Sequence, residues 1–128
     1  MSAAESNVAA PEQRLMLERA YSAFHGASQS KAALLGKKTG VFIGTWAMEY
    51  SDALRQLTHP SARSGYAVTS ATCSVLVGRI SFVLGLQGPC VPYDTACSSS
   101  LVSTHAAWRA VERHECSAGL TGCVNMIL

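Results

Sequence analysis

Charge is scarce in this chain. Asp, Glu, Lys and Arg make up 14% of its 128 residues, against about a quarter in an ordinary soluble domain. A chain so poor in charge has a large covered face or forms part of a bigger body. Its net charge is +2, and apart from Lys37-Lys38 its basic residues are scattered, so it lacks the basic stripe that binds nucleic acid. No apolar run reaches the length of a bilayer span. Residues 1–10 are small and polar, without the apolar core of a secretory signal. No C-x-x-C pair occurs, and the spacings from Cys73 through Cys123 fit no zinc pattern. The five cysteines are an odd number, which points to free thiols in a reducing, cytoplasmic setting. There is no G-x-S-x-G elbow of a serine hydrolase. Gly40 and Gly44 complete neither a phosphate loop nor a dinucleotide fingerprint. No internal repeat or low-complexity segment is present.

Apolar residues do abound. At 48% of the chain they are enough for the packed core of one domain. Pro11 suits the first position of a helix. From Glu12 to about His25, Met16, Ala20, Ala23 and Phe24 recur at helical spacing, flanked by Leu15 and Leu17, and Gly26 is the expected stop. A polar connection with a short helical piece near Ala32 to Leu35 follows. Gly40 to Gly44 reads as a buried strand. Glu49 to Leu57 suits a short helix, and Thr58 to Tyr66 an exposed loop. Thr72 to Leu84 reads as a helix with Leu76, Ile80, Val83 and Leu84 on its apolar side, stopped by Gly85. Gly78 within it costs about 1 kcal/mol against alanine, which a close contact with another backbone would explain. A strand from Cys90 to Tyr93 and a helix from about Leu101 to Glu112 come next. The buried candidates of that helix are Leu101, Val102, Ala106, Trp108 and Val111. Ala118 to Leu128 reads as strand and turn. Strands alternating with helices make this an α/β fold, and the apolar strands imply a sheet covered on both faces.

Between that last strand and helix lies Asp94-Thr95-Ala96-Cys97-Ser98-Ser99-Ser100. Here a thiol sits among small residues at a helix start, whose partial positive charge favours thiolate, the reactive form. Cysteine is also among the most buried residue types, so on position alone a structural thiol and a nucleophile both remain open for Cys97. Cys73, Cys90, Cys116 and Cys123 fall in apolar runs or at element ends, where a core role is expected. A thiolate needs a proton-transfer partner, usually histidine. His105 lies about 12 Å along the helix axis from Cys97, too far to reach it, and His114 lies beyond. His25 and His59 could approach only through tertiary folding. Surface or capping roles are expected of all four. Asp94 and Thr95 are expected to brace the turn through backbone hydrogen bonds, and the serines to cap the helix. Trp46 and Trp108 suit a core or an interface.

The stretch Asp94-Thr95-Ala96-Cys97-Ser98-Ser99-Ser100-Leu101 resembles the active-site signature of β-ketoacyl synthases, above all the ketosynthase domains of type I polyketide synthases. Pro11-Glu12-Gln13-Arg14-Leu15, Thr39 to Gly44, Gly78 to Pro89 and Gly122-Cys123-Val124-Asn125 are similar to further segments of that family, in the family's order. The resemblance implies the N-terminal half of a thiolase-like fold with layers αβαβα, so that residues 1–128 are a partial ketosynthase domain, incomplete at both ends. It implies that Cys97 takes an acyl chain from the phosphopantetheine arm of an acyl carrier protein, with its backbone amide in the oxyanion hole. Decarboxylative Claisen condensation with a malonyl-type extender would follow, in polyketide or fatty acid biosynthesis. It further implies a homodimer in the complete enzyme, with the strand before the nucleophile near the dimer contact. No bound cofactor or metal, nucleic acid or membrane partner is implied. The family's catalytic histidines lie in its C-terminal half, and none of His25, His59, His105 or His114 sits in a matching motif. Three departures stand out: Ala10 replaces a usual aspartate, Cys123 a usual glycine, and Pro92 removes one strand donor. Two other readings are a non-catalytic assembly or dimerisation fragment and a cysteine hydrolase with His59 as base.

Overall fold

The computed structural model describes residues 6–7, 9–46, 50, 53, 56, 69 and 72–126. Their elements, in chain order, are helix α1 (Pro11–Gly26), the short helix α2 (Lys31–Leu34), strand β1 (Thr39–Thr45), helix α3 (Cys73–Leu84), strand β2 (Cys90–Tyr93), a 3-10 turn (Ala96–Ser98), helix α4 (Ser99–Glu112) and strand β3 (Ala118–Val124). The helix expected over Glu49 to Leu57 and the loop over Thr58 to Tyr66 lie mostly outside the described residues.

The three strands form one parallel sheet in the order β2-β1-β3. Every residue of the central strand is buried. Because side chains alternate along a strand, β1 feeds two cores. Val41 and Ile43 join Met16 and Ala20 of α1, Leu76, Val77, Ile80 and Leu84 of α3, and Val124 of β3. Phe42 turns to the other face, where it packs with Ala107 and Ala110 of α4 and with Cys116. The sheet therefore lies between α1 and α3 on one side and α4 on the other. Complete burial of a side chain such as Ile43 or Ile80 stabilises the fold by about 1.5–3 kcal/mol.

The helix ends follow one pattern. Gly85 stops α3 with φ +70°, while its N–H donates to Phe82 O and that of Leu86 to Ser81 O, the paired bonds of a Schellman motif. The same pair of bonds closes α1 through Ser28 and Gln29, and α4 through His114 and Glu115. Gly26 is thus not the stop of α1. It remains helical, and Ser28 takes the left-handed conformation at φ +57°. At the other end of α1, the buried Gln13 donates from Nε2 to Thr69 O at 2.9 Å.

The inward face of α4 differs from the one expected. Ser99, Ser103, Ala107 and Ala110 face the sheet. Leu101 is 73% exposed, Trp108 57% and Val111 37%, while Val102 and Ala106 are half-buried. Close approach explains the exchange. A Cβ on Gly44 would stand 2.8 Å from the Ser99 Cβ, and one on Gly119 3.0 Å from that of Ala107, so only small residues fit between helix and sheet. Trp46 is exposed rather than core. In α1, Ala23 is exposed and Phe24 half-buried. In α3, Val83 is half-buried and Phe82 is 86% exposed.

Pro92 does not interrupt the sheet. Val41 N–H donates to Pro89 O at 2.7 Å in the register Val41↔Cys90. Donors alternate along a parallel strand, so Val91 and Tyr93 bond to β1 while the nitrogens of Cys90 and Pro92 face the other edge, which no described strand covers. The proline is thus confined to an edge, where it removes no bond to β1.

The expected backbone neighbour of Gly78 is absent among the described residues, since a Cβ there would meet nothing within 4 Å. At Gly88 a Cβ would lie 2.5 Å from Gly40 N and from Thr39 O. Gly78→Ala is accordingly expected to stabilise the chain by about 0.5–1 kcal/mol. Gly88→Ala is expected to destabilise it by about 1–3 kcal/mol. Urea unfolding midpoints of the two variants give both signs.

Candidate functional site

In open parallel sheets, ligand sites form outside the carboxyl ends of the strands. The cysteine turn lies at that end. β2 stops at Tyr93, and the chain crosses from sheet to helix within Asp94 to Ser98. Cys97 is exposed there, in the middle of the 3-10 turn.

Side chains and backbone brace this crossing together. Ala96 N–H donates to Asp94 Oδ1 at 3.4 Å. Ser98 Oγ donates to Thr95 O at 2.7 Å and accepts from Thr95 Oγ1 at 2.9 Å. Ser99 Oγ accepts from Thr95 N–H at 2.9 Å and donates to Ala96 O at 2.8 Å. The Thr95 hydroxyl meets the Ser98 side chain rather than backbone, whereas the backbone bracing expected of Asp94 is present. Capping of the helix by the serines is not: neither Ser98 nor Ser99 accepts from the first turn of α4, and Ser98, as N-cap, makes no side-chain cap. Their hydroxyls serve the turn instead. Its two 3-10 bonds run from Ser98 N–H to Thr95 O and from Ser99 N–H to Ala96 O. Neither uses the Cys97 N–H, which has no backbone partner among the described residues and lies beside its own thiol.

The four other cysteines divide. Cys116 is buried in the α4-side core as expected, but Cys90 and Cys123 are exposed. Both lie on the outer strands β2 and β3, so apolar sequence alone does not cover them. Cys73, half-buried at the start of α3, has its thiol pushed up by burial and then by the negative charge of Asp94, against a hydrogen bond with Thr45. The ends of β1 and β2 and the start of α3 thus meet near the turn.

The structure brings no described histidine to Cys97. His25 is exposed and stacks on Tyr21, with ring centroids 6.2 Å apart. His105 packs against Trp108 at 5.7 Å. His114 closes α4 in the left-handed conformation. These are surface and capping roles, and His59 lies outside the described residues. Among the described residues no group of three or more His, Cys, Asp or Glu could hold a metal ion.

Two contributors escaped sequence reasoning. Gly44 reads as a strand boundary, yet its missing side chain makes room for Ser99, whose carbonyl carbon lies only 2.8 Å from where a Cβ would be. Ser99 reads as one of three equivalent serines, yet it alone of them is buried. The available signal was a glycine at the carboxyl end of the central strand, the usual mark of close backbone approach.

Residues 1–128 match the family described as "Beta-ketoacyl synthase, N-terminal domain". The chain is 44% identical over 117 residues to polyketide synthase GfsE of Streptomyces halstedii, which covers 91% of the chain and 3% of that protein. It is 43% identical over 128 residues to polyketide synthase PksN of Bacillus subtilis, which covers all of the chain and 2% of that protein. Among solved structures it is similar to the ketosynthase from module 6 of the bacillaene synthase of Bacillus subtilis 168. The TM-score is 0.82 at 34% identity, with 97% of this chain and 20% of that one covered. An oxazolomycin ketosynthase domain from Streptomyces albus JA3453 gives a TM-score of 0.82 at 32% identity, over 99% and 22%. The chain thus spans a small fraction of each of these relatives.

Gly44→Ala is expected to force the start of α4 off the central strand and to lower stability by about 1–3 kcal/mol, read from urea unfolding. A second expectation concerns Cys73. Its folded pKa is raised, so its contribution to stability is complete below the ordinary thiol value of 9.0 and is lost as pH rises through the folded value. Wild type should therefore lose more stability than Cys73→Ala between about pH 8 and pH 10, measured as urea midpoints at the two pH values.

Proposed function

The chain belongs to the β-ketoacyl synthase family, as its N-terminal domain, and we propose that Cys97 is the acyl-accepting nucleophile of a ketosynthase within a longer polyketide synthase chain. The observation that carries this reading is an exposed thiol beside a backbone N–H that has no partner among the described residues, on a braced crossing from strand to helix. Its α/β fold is that of ketosynthase structures, of which it represents an N-terminal portion.

In the first half-reaction the Cys97 sulfur attacks the carbonyl of a thioester carried on the phosphopantetheine arm of an acyl carrier protein. The carbon–sulfur bond to the carrier breaks, and the carrier thiol leaves with the proton. The Cys97 N–H donates to the oxyanion formed on the way. In the second half-reaction a malonyl-type extender loses carbon dioxide, and the resulting carbanion attacks the acyl group on Cys97. A carbon–carbon bond forms and the Cys97 sulfur is released. The family's histidines, carried by its C-terminal half, would assist this second step. Nothing at the turn replaces them among the described residues, so first-step acylation is the activity expected of this chain.

The two-faced character of α4 supports the layered reading. Small residues seat it on the sheet, while Leu101, Trp108 and Val111 stand outward. A helix with apolar residues on both faces suits the central layer of an αβαβα fold, with the second half of the domain covering the outer face. The open edge of β2 suits the homodimer contact that the resemblance places near this strand. No helix among the described residues is long and apolar enough to cross a membrane.

Incubation with a short acyl thioester should add one acyl mass to the intact chain, at Cys97 by peptide mapping, and Cys97→Ala should abolish it. Absence of an adduct would remove the acylation role from this chain. The exposed Phe82 and Trp108 favour a second reading, an assembly fragment without chemistry. A sedimenting dimer that takes no acyl group would support that alternative.

A further inference from the structure

Three described residues other than glycine have positive φ: Ser28, Ala96 and His114. Ser28 and His114 each close a helix in a Schellman motif, where that conformation is ordinary. Ala96, at φ +53°, closes nothing. It precedes Cys97 and opens the turn into α4. A left-handed alanine is disfavoured by its Cβ, and such a residue persists only where its surroundings over-determine it.

Asp94 Oδ1 accepts from the Ala96 N–H at 3.4 Å, but one side chain grips both flanks of the residue. Ser99 Oγ holds Thr95 N–H at 2.9 Å on the near side of Ala96 and Ala96 O at 2.8 Å on the far side. Ser99 is only 1% exposed, and its backbone rests on Gly44 of the buried central strand. The clamp is thereby anchored to the sheet rather than to another mobile part of the turn. We infer that Ser99 is a positioning residue, whose hydroxyl holds Ala96 in its left-handed conformation and so sets how the Cys97 thiol and N–H are aimed relative to the sheet.

The rival explanation is that Ser99 merely fits as a small residue against Gly44. Ser99→Ala separates the two, because alanine keeps the fit and removes only the hydroxyl. The consequence for acyl transfer rests on the reading of Cys97 given above, whereas the clamp itself does not. The test uses the full 128-residue chain and two independent readouts. The first is amide hydrogen exchange at Thr95, followed by NMR. The second is the rate of acyl transfer from a thioester to Cys97, set against the rate of alkylation of Cys97 by iodoacetamide, which needs an exposed thiol but no oxyanion donor.

In Ser99→Ala, Thr95 exchange should quicken by about tenfold and acyl transfer should slow by about tenfold, while alkylation changes by less than about threefold. Adding Ala96→Gly should restore most of the transfer rate, because glycine adopts positive φ without strain. Unchanged Thr95 exchange overturns the clamp. Equal loss of transfer and alkylation, or new reactivity at the buried Cys116, assigns Ser99 to general stability and overturns the positioning role. A double variant no faster than Ser99→Ala overturns the link to Ala96. If wild type takes no acyl group while Thr95 exchange still quickens, the clamp stands and the acyl-transfer reading fails.

Discussion

Where α4 begins, the backbone of Ser99 lies against Gly44 of β1, closer than any Cβ would permit. Much of the molecule follows from that contact. It fixes the helix start against the most buried strand, so the turn carrying Cys97 is referenced to the centre of the sheet rather than to its edge. It also requires small residues along the adjoining helix face, which Ser103 and Ala107 supply one and two turns further on. A site held within a fraction of an ångström needs such rigid support. Backbone on backbone is the stiffest support a chain can offer, because neither partner has a rotamer to change.

The same contact explains why α4 carries its large side chains on the outside. With the sheet side restricted to serine and alanine, Leu101, Trp108 and Val111 have no place inward. Arg109 lies over the Trp108 ring, 5.7 Å from its centroid, and pairs with Glu112, so the outer face is partly screened by charge. Such exposed pairs contribute little to stability. The low charge content therefore has a structural counterpart: apolar residues line both sides of this helix, and both sides of α3 in part, through Phe82.

Elements with a strong local signature were legible in the sequence. Pro11 at a helix start, the run Val41-Phe42-Ile43 between glycines, and Gly85 as a left-handed stop each have a single physical meaning, and the structure agrees with each. Cys97 was legible as a thiol on a strand-to-helix crossing for the same reason, since strand, small residues and helix follow one another without a gap. Three-dimensional approach was illegible. Periodicity marks Leu101, Trp108 and Val111 as a core stripe, because a hydrophobic count rewards size and says nothing about how near a helix can come. Ser99 looks like one of three capping serines until the distance to Gly44 is known. Gly26 looked like a stop where Ser28 provides it, because any residue can take a left-handed turn when two carbonyls are waiting for its N–H and the next. Gly78 shows the opposite failure, a glycine that nothing among the described residues crowds.

Pro92 bears on how the open side of the sheet can be used. An unprotected strand edge is a template on which almost any extended segment can grow, and proteins blunt such edges to avoid runaway aggregation. Here the outward row of donors has a gap, since only the Cys90 nitrogen among the two outward-facing positions carries a hydrogen. An incoming strand that places a carbonyl opposite the proline gains no bond there and loses its water. The edge is thus permissive toward one alignment and unfavourable to the next. A single imino acid gives the exposed border of this sheet a form of selectivity that its side chains do not supply.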